Sequence, residues 1–249
     1  FQRGYGCFES MRSYDGSVFR LESHVARLAH SADNLRITLP GANRILEWCN
    51  QVSRGGDGLL RVYVTGGLDA KEPGTDNLII VFLEPLPDTP EAVTLDIIEA
   101  PWHADGRTSE LTGAKTLSYG PNLAATISAR SRGFDDAALV GAGDVVLEGP
   151  TFSLGWVLNG EIFTPSLDSH ILASITREAT LEVADTLGIA VHTGRFDKSY
   201  LLAADEVFVM STVKEVMPVV AVGECSFMAG PVTRNLRAGF SDLVKSEST

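Results

Sequence analysis

The stretch Glu110-Leu111-Thr112-Gly113-Ala114-Lys115-Thr116-Leu117-Ser118-Tyr119-Gly120-Pro121-Asn122 places a lysine between a Gly-Ala turn and the predicted start of a helix. Apart from Leu117, the five residues that follow Lys115 are small or hydroxylated, and none of them is a carboxylate. Desolvation favours the neutral form of a lysine, and a neutral amine is a nucleophile toward carbonyl groups. Because most lysines are solvated, a plain lysine at a loop–helix junction is the alternative interpretation.

The order of elements around this stretch predicts a two-part α/β (α+β) fold. Residues 1–86 predict a small N-terminal α/β domain, the proline-rich residues 87–91 a linker, and residues 92–249 a larger mixed β/α domain. Apolar spacing of three and four predicts helices, and alternation between turn signals predicts strands. The predicted helices span about 21–37, 42–54, 117–132, 172–187, 198–203 and 231–245. The predicted strands span 7–14, 17–20, 59–65, 78–83, 92–100, 137–140, 144–148, 152–158, 161–164, 191–194, 206–210 and 216–222.

The composition is typical of a globular cytoplasmic protein. Of 249 residues, 44% are hydrophobic and 21% are charged. The net charge of −12 and the lack of a basic stripe argue against a nucleic-acid partner, and no apolar run approaches a membrane span. Cys7, Cys49 and Cys225 lie far apart, which predicts reduced thiols and no metal site. The first residues do not form a signal peptide, and because Met is missing we expect residues before Phe1.

Four further features have a chemistry that complements a nucleophilic lysine. Glu148 ends an apolar strand before a Gly-Pro turn, where it can pair with a cation or remain a solvated carboxylate. The segment 174–176 opens a helix whose free N–H groups can bind an anion, although most helix starts with Ser or Thr are only capped. Ser211 and Thr212 come at the end of a predicted strand. Their hydroxyl groups could contribute to an anion site, and an ordinary turn is the alternative interpretation. Arg27 lies on a polar stripe of the first helix formed by His24, Arg27, Ser31 and Asn34, where a surface ion pair is the alternative.

A lysine nucleophile, a lone acid and an anion site suit one cofactor, pyridoxal 5'-phosphate. The lysine forms a Schiff base, the acid keeps the pyridine nitrogen protonated, and the anion site holds the phosphate. Composition and spacing alone leave this assembly open.

Ordered motifs across nearly the whole chain give the sequence a specific resemblance. It resembles the class IV (fold type IV) pyridoxal-phosphate enzymes, which include branched-chain and D-amino-acid aminotransferases, R-selective amine transaminases and aminodeoxychorismate lyases. The motifs are Phe8-Glu9-Ser10-Met11-Arg12, Phe19-Arg20-Leu21, His24-Val25-Ala26-Arg27-Leu28, Lys115-Thr116-Leu117-Ser118-Tyr119, Asp135-Asp136-Ala137, Val146-Leu147-Glu148-Gly149, Ile171-Leu172-Ala173-Ser174-Ile175-Thr176-Arg177, Ala204-Asp205-Glu206-Val207-Phe208, Ser211-Thr212 and Glu215-Val216-Met217-Pro218-Val219.

The resemblance implies a role for each matched residue. Lys115 is implied to be the Schiff-base lysine and proton shuttle, and Glu148 the partner of the pyridine nitrogen. The residues implied to hold the phosphate or the ring are Arg27, Tyr119, Ser153, Ile175, Thr176, Ser211 and Thr212. The family also implies a cofactor-binding large domain and a homodimer. Ser153 departs from the pattern, because family members often carry Asn at this position. The departure puts in question how the cofactor packs, and how large a substrate fits, near Trp156.

The motifs say less about which residues bind the substrate and which reaction the protein catalyses. The first strand resembles that of aminotransferases, and Arg61 resembles their pocket arginine, so we expect transfer of an amino group from an amino acid or amine to a 2-keto acid by a ping-pong mechanism. The candidate substrate-binding residues are Arg3, Phe8, Arg61, Trp156 and Val213. An aminodeoxychorismate lyase, which releases pyruvate and p-aminobenzoate, and an inactive cofactor-binding relative are the alternatives.

Overall fold

The computed structural model describes residues 4–67, 74, 76–103 and 108–247. The chain divides into two compact units. The first comprises residues 1–88, 109–119 and 244–249, and the second residues 89–108 and 120–243. The segment around Lys115 therefore groups with the N-terminal residues, although it is remote from them in sequence. The predicted linker at 87–91 stays a prediction.

The first unit is built on a four-stranded antiparallel sheet with strand order β2-β1-β3-β4. Two amphipathic helices contribute apolar side chains to its core, which includes Met11, Leu28 and Val62. Helix α1 buries one apolar stripe, as its spacing of three and four predicts. The elements are β1 (Gly6–Tyr14), β2 (Ser17–Val18), α1 (Leu21–Asn34), α2 (Ala42–Ser53), β3 (Gly58–Thr65) and β4 (Ile79–Glu84).

The second unit is built on a mixed eight-stranded sheet. Its order is β6-β5-β11-β10-β7-β8-β9, and β12 pairs with β11. The elements are β5 (Val93–Glu99), α3 (Gly120–Ser131), β6 (Asp136–Val140), β7 (Ser153–Leu158), β8 (Glu161–Pro165), α4 (Ile175–Thr186), β9 (Val191–Gly194), α5 (Lys198–Leu202), β10 (Glu206–Ser211), β11 (Glu215–Val222), β12 (Cys225–Ser226) and α6 (Pro231–Glu247). The last residues of α6 group with the first unit.

Most of the predicted elements are present, with shifted ends. The predicted strand 144–148 is wrong, because this segment forms only isolated bridges, from Val145 to Asp197 and from Val146 to Val140. Helix α4 begins at Ile175 and not at residue 172, since Ser174 caps it by accepting a hydrogen bond from the Arg177 N–H. Helix α3 similarly begins at Gly120, three residues after its predicted start.

Candidate active site

Lys115 is held through its backbone on both sides. Its N–H donates to Ser31 Oγ at 3.0 Å, and its carbonyl accepts from the Phe8 N–H at 3.1 Å. Thr116 forms a bridge with Cys7, so the segment runs antiparallel alongside the start of β1. These contacts hold the lysine Cα between the first strand and the first helix of its unit.

The amine of Lys115 lies over aromatic rings. Its Nζ is 4.5 Å from the ring centroid of Phe8 and 5.9 Å from that of Tyr119. The Phe8 ring also packs edge-on against Tyr119 and stacks on Tyr63 at 5.8 Å. The structure thus brings together three sequence-predicted residues, Lys115, Phe8 and Tyr119. The structure also places Tyr63 beside these residues, which was not predicted from the sequence. Tyr63 lies two residues after Arg61, and this spacing puts both side chains on one face of β3.

Arg27 forms part of a buried charge cluster centred on Glu9. The guanidinium donates from Nε and Nη2 to the two carboxylate oxygens of Glu9, both at 2.8 Å. His24 Nδ1 lies 2.7 Å from the same carboxylate, which is completely buried. Burial alone would raise the pKa of Glu9, but the charges and hydrogen bonds of Arg27 and His24 outweigh it and lower the pKa from 4.5 to about 2.

The polar stripe of α1 has a common role in the structure. His24 and Arg27 contact Glu9, and Ser31 receives the Lys115 N–H. Asn34 donates to the carbonyl of Thr112 at 3.1 Å. The stripe therefore holds the carboxylate of β1 and the lysine segment together, a role that the sequence did not reveal.

The two arginines predicted to bind substrate differ in status. Arg3 lies outside the described residues. Arg61 donates from Nε to Glu84 Oε1 at 2.8 Å and from Nη1 to Ser10 Oγ at 3.0 Å. Its side chain is therefore paired with a carboxylate, and its predicted role as the pocket arginine stays a prediction.

Glu148 lies in the second unit, in the turn before β7. Both of its carboxylate oxygens accept from the Leu172 N–H, at 3.3 and 3.2 Å. His103 Nε2 is 3.6 Å from Oε1, a neighbour that the sequence reasoning missed. The turn needs Gly149, because a Cβ there would stand 2.1 Å from the ring of Phe152. The Gly149 N–H donates to the Phe152 carbonyl at 2.8 Å, which closes the turn.

Two N–H groups at the beginning of α4, which belong to the buried residues Ile175 and Thr176, indicate an anion site. Ser174 Oγ accepts from the third helical residue, Arg177, which leaves the N–H groups of Ile175 and Thr176. Neither of these groups has a hydrogen-bond acceptor within the part of the chain that the structure describes. Both residues are buried, and a helix N-terminus favours negative charge.

Ser211 ends β10, and Thr212, Val213 and Lys214 form the turn between β10 and β11. Ser211 Oγ accepts from the Lys214 N–H at 3.1 Å, which closes the turn. The Nζ of Lys214 lies 5.0 Å from the ring centroid of Phe152. Its contact with Phe152 connects the 211–214 turn to the one that follows Glu148. Burial lowers the pKa of the Lys214 amine.

Ser153 and Trp156 occupy different environments of β7. Ser153 pairs with Met210 next to the 211–214 turn, and its buried Oγ has no hydrogen-bond partner among the described residues. Trp156 is fully buried and packs against Phe163 and Phe196 in the core of the second unit. These contacts give Trp156 a packing role, and we do not include it in the proposed site.

Comparison with known proteins establishes the family. Residues 6–222 match the model of amino-transferase class IV. The chain belongs to the class IV aminotransferase family. The branched-chain-amino-acid aminotransferase of Escherichia coli K12 is 29% identical over 270 residues, which cover 98% of this chain and 86% of the relative. A fold IV-transaminase from Curtobacterium pusillum superposes with a TM-score of 0.90 at 29% identity, covering 99% of this chain and 87% of that chain. The predicted family and fold type are confirmed.

Relatives with other activities are about as similar to this class IV chain. The D-alanine aminotransferase of Staphylococcus haemolyticus is 28% identical, over 99% of this chain and 92% of its own length. The aminodeoxychorismate lyase of Bacillus subtilis is 26% identical, over 99% of this chain and 88% of its own length. Family membership therefore makes the chain an enzyme that depends on pyridoxal phosphate, and it leaves the individual reaction unresolved.

The residues of this aminotransferase-family chain fit a phosphate-bearing cofactor. The buried N–H groups of Ile175 and Thr176 lack acceptors in the described structure, and phosphate oxygens are strong acceptors. Among the described residues no group of His, Cys, Asp and Glu could hold a metal ion. Within the same residues no helix combines the length and apolarity of a membrane-spanning segment.

Proposed function

We propose that the protein is an aminotransferase that moves the amino group of an apolar amino acid to a 2-keto acid. The observation that carries this proposal is the setting of Lys115, whose amine lies over Phe8 and Tyr119 while its backbone is held by Ser31 and β1. Aromatic rings present an apolar surface that excludes water and suits apolar side chains. Family membership supports amino- and keto-acid substrates.

The residues of the chain divide the work of this reaction. When bound, pyridoxal 5'-phosphate supplies the electron-accepting ring that makes the donor Cα acidic. Lys115 would hold the cofactor through its amine, and the same amine would move the proton at the substrate Cα. Glu148, whose carboxylate accepts from the Leu172 N–H, would pair with the pyridine nitrogen. The groups that would hold the phosphate are the N–H and hydroxyl groups of Ile175, Thr176, Ser211 and Thr212.

Arg61 is one candidate partner of the substrate carboxylate, and its side chain is paired with Glu84. The backbone of Val213, next to Thr212 in the β10–β11 turn, is a further candidate from the sequence, beside Arg3, which lies outside the described residues. We propose that the Val213 N–H binds the carboxylate, as a backbone N–H group in a turn can do.

Steady-state kinetics test the proposal. Purified holoenzyme is given L- or D-leucine, valine, alanine or an R-amine, with 2-ketoglutarate as acceptor. We expect parallel lines in double-reciprocal plots, as a ping-pong reaction requires, and higher kcat/KM for leucine than for alanine. Absence of transfer from every donor would refute the proposal.

Aminodeoxychorismate lyase is the second candidate, supported by similarity to the Bacillus subtilis enzyme along 99% of this chain. The same preparation is incubated with aminodeoxychorismate and no keto acid. Release of pyruvate and p-aminobenzoate at rates above those of amino transfer would replace the first proposal with this one. A homodimer is also proposed, and its mass in solution is measurable by light scattering.

A further inference from the structure

Arg177 is a buried arginine in the first turn of α4. Only 7% of the residue is exposed. Its side chain reaches β8, where Nε donates to Thr164 Oγ1 at 3.1 Å and Nη2 donates to the Pro165 carbonyl at 2.9 Å. Both partners are neutral, so they orient the guanidinium without balancing its charge.

No carboxylate pairs with Arg177 among the residues that the structure describes. Burial lowers the pKa of its guanidinium. Arg27, in the other unit, differs in this respect, because its partly buried guanidinium pairs with the carboxylate of Glu9 at 2.8 Å. A buried charge without a counter-charge destabilises a protein. A bound anion near Arg177 would remove this cost.

The same helix turn provides a place for that anion. The buried N–H groups of Ile175 and Thr176 lack acceptors among the described residues, and the helix dipole adds partial positive charge. Two N–H donors, a helix terminus and an unbalanced guanidinium all lie within three consecutive residues. Their combined potential favours a doubly charged anion over a neutral ligand.

We propose that Arg177 is a positioning residue for the cofactor phosphate: the phosphate, bound at the Ile175 and Thr176 N–H groups, would balance the charge of the buried guanidinium that Thr164 and Pro165 orient. The proposal rests on the proposed function only in assigning the phosphate to α4. Arg177 acts through charge and through the helix turn that it braces, and it need not touch the phosphate.

Two substitutions separate charge from hydrogen bonding. Arg177→Lys keeps the charge and loses the planar fork, whereas Arg177→Gln keeps an amide donor for the Pro165 carbonyl and loses the charge. Arg237→Met removes a charge from an exposed position of α6 and is the matched control. Apoenzyme of each variant is titrated with pyridoxal 5'-phosphate and with pyridoxal, which lacks the phosphate, and binding is followed by absorbance.

We expect Arg177→Gln to raise the Kd for pyridoxal 5'-phosphate by about tenfold or more, the effect of removing one charge near a partly buried anion. The Kd for pyridoxal should stay within about twofold, and Arg177→Lys and Arg237→Met should resemble the wild type. If Arg177→Gln raised the Kd for both ligands equally, or if Arg177→Lys and Arg177→Gln raised the Kd for pyridoxal 5'-phosphate equally, Arg177 would have a purely structural role. Either result would overturn the proposal.

A second measurement covers the case in which Arg177→Gln does not fold. The melting temperature of wild-type apoenzyme is measured in inorganic phosphate and in chloride at equal ionic strength. A rise of several degrees in phosphate is expected, because binding to the native state stabilises it, and no rise would overturn the proposal. Failure of the proposed function would appear differently, as wild-type enzyme that binds pyridoxal 5'-phosphate normally and transfers no amino group.

Discussion

Glu9→Gln should destabilise the first unit strongly although it changes only one atom. The native pKa of Glu9 lies at about 2, against an ordinary value of 4.5. This lowering corresponds to roughly 3 kcal/mol of unfolding free energy at neutral pH. The amide also leaves Arg27 without its counter-charge in a buried site, and breaking such a pair costs about 3–5 kcal/mol. Both estimates predict a loss of roughly 3 kcal/mol or more.

Urea unfolding of apoenzyme at pH 7.5 measures this loss. Glu47→Gln, at an exposed position of α2, is the matched control and should change the unfolding free energy by less than about 0.5 kcal/mol. If Glu9→Gln unfolded at the same urea concentration as Glu47→Gln, the buried cluster would not stabilise the protein, and our account of Arg27 would be wrong.

The same cluster predicts acid sensitivity. Because the native pKa of Glu9 is lowered, its stabilisation is complete above about pH 4.5 and is lost as the pH falls toward 2. His24 acts in the same direction, since burial lowers its native pKa below 6.5 and the unfolded chain takes up a proton first. Wild-type stability should therefore fall from about pH 6.5 downward. Glu9→Gln should lose the part of this dependence below about pH 4.5, and an unchanged profile would contradict the cluster.

Two further substitutions test local packing and positioning. Ser31→Ala removes the acceptor of the Lys115 N–H. It should lower kcat about tenfold and leave the circular dichroism spectrum unchanged. An unchanged kcat would show that this hydrogen bond does not position the lysine. Gly155→Ala places a Cβ 2.5 Å from Phe208 Cζ and should lower the free energy of unfolding, measured in urea, by about 1–3 kcal/mol. Gly120→Ala, whose Cβ would meet nothing within 4 Å, should lower it by less. Equal effects of the two substitutions would refute the close packing at Gly155.

The sequence predicted what depends on local pattern. The apolar stripe of α1 and the alternation of β1 lead directly to their elements, and the ordered motifs around Lys115 and Glu148 lead to the family. Strand 144–148 was wrong because apolar alternation does not distinguish isolated bridges from a ladder.

Burial and long-range contact limited the prediction of the site. Glu9 alternates with the buried residues Cys7 and Met11, which places it on the inner face of β1, but a carboxylate there is rare enough that its role went unnoticed. The pairing of Arg61 with Glu84 joins different strands, and no local pattern indicates it. The grouping of residues 109–119 with the first unit likewise depends on contacts distant in sequence.

A single-turnover half-reaction tests the central claim most directly. Wild-type holoenzyme and Lys115→Ala protein loaded with pyridoxal 5'-phosphate are mixed with L-leucine, without any keto acid, and the cofactor absorbance is recorded. We expect the wild type to lose its visible band and to release one equivalent of keto acid per site, while Lys115→Ala does neither. Retention of the band by the wild type with every amino acid and amine, or equal conversion by Lys115→Ala, would contradict this expectation.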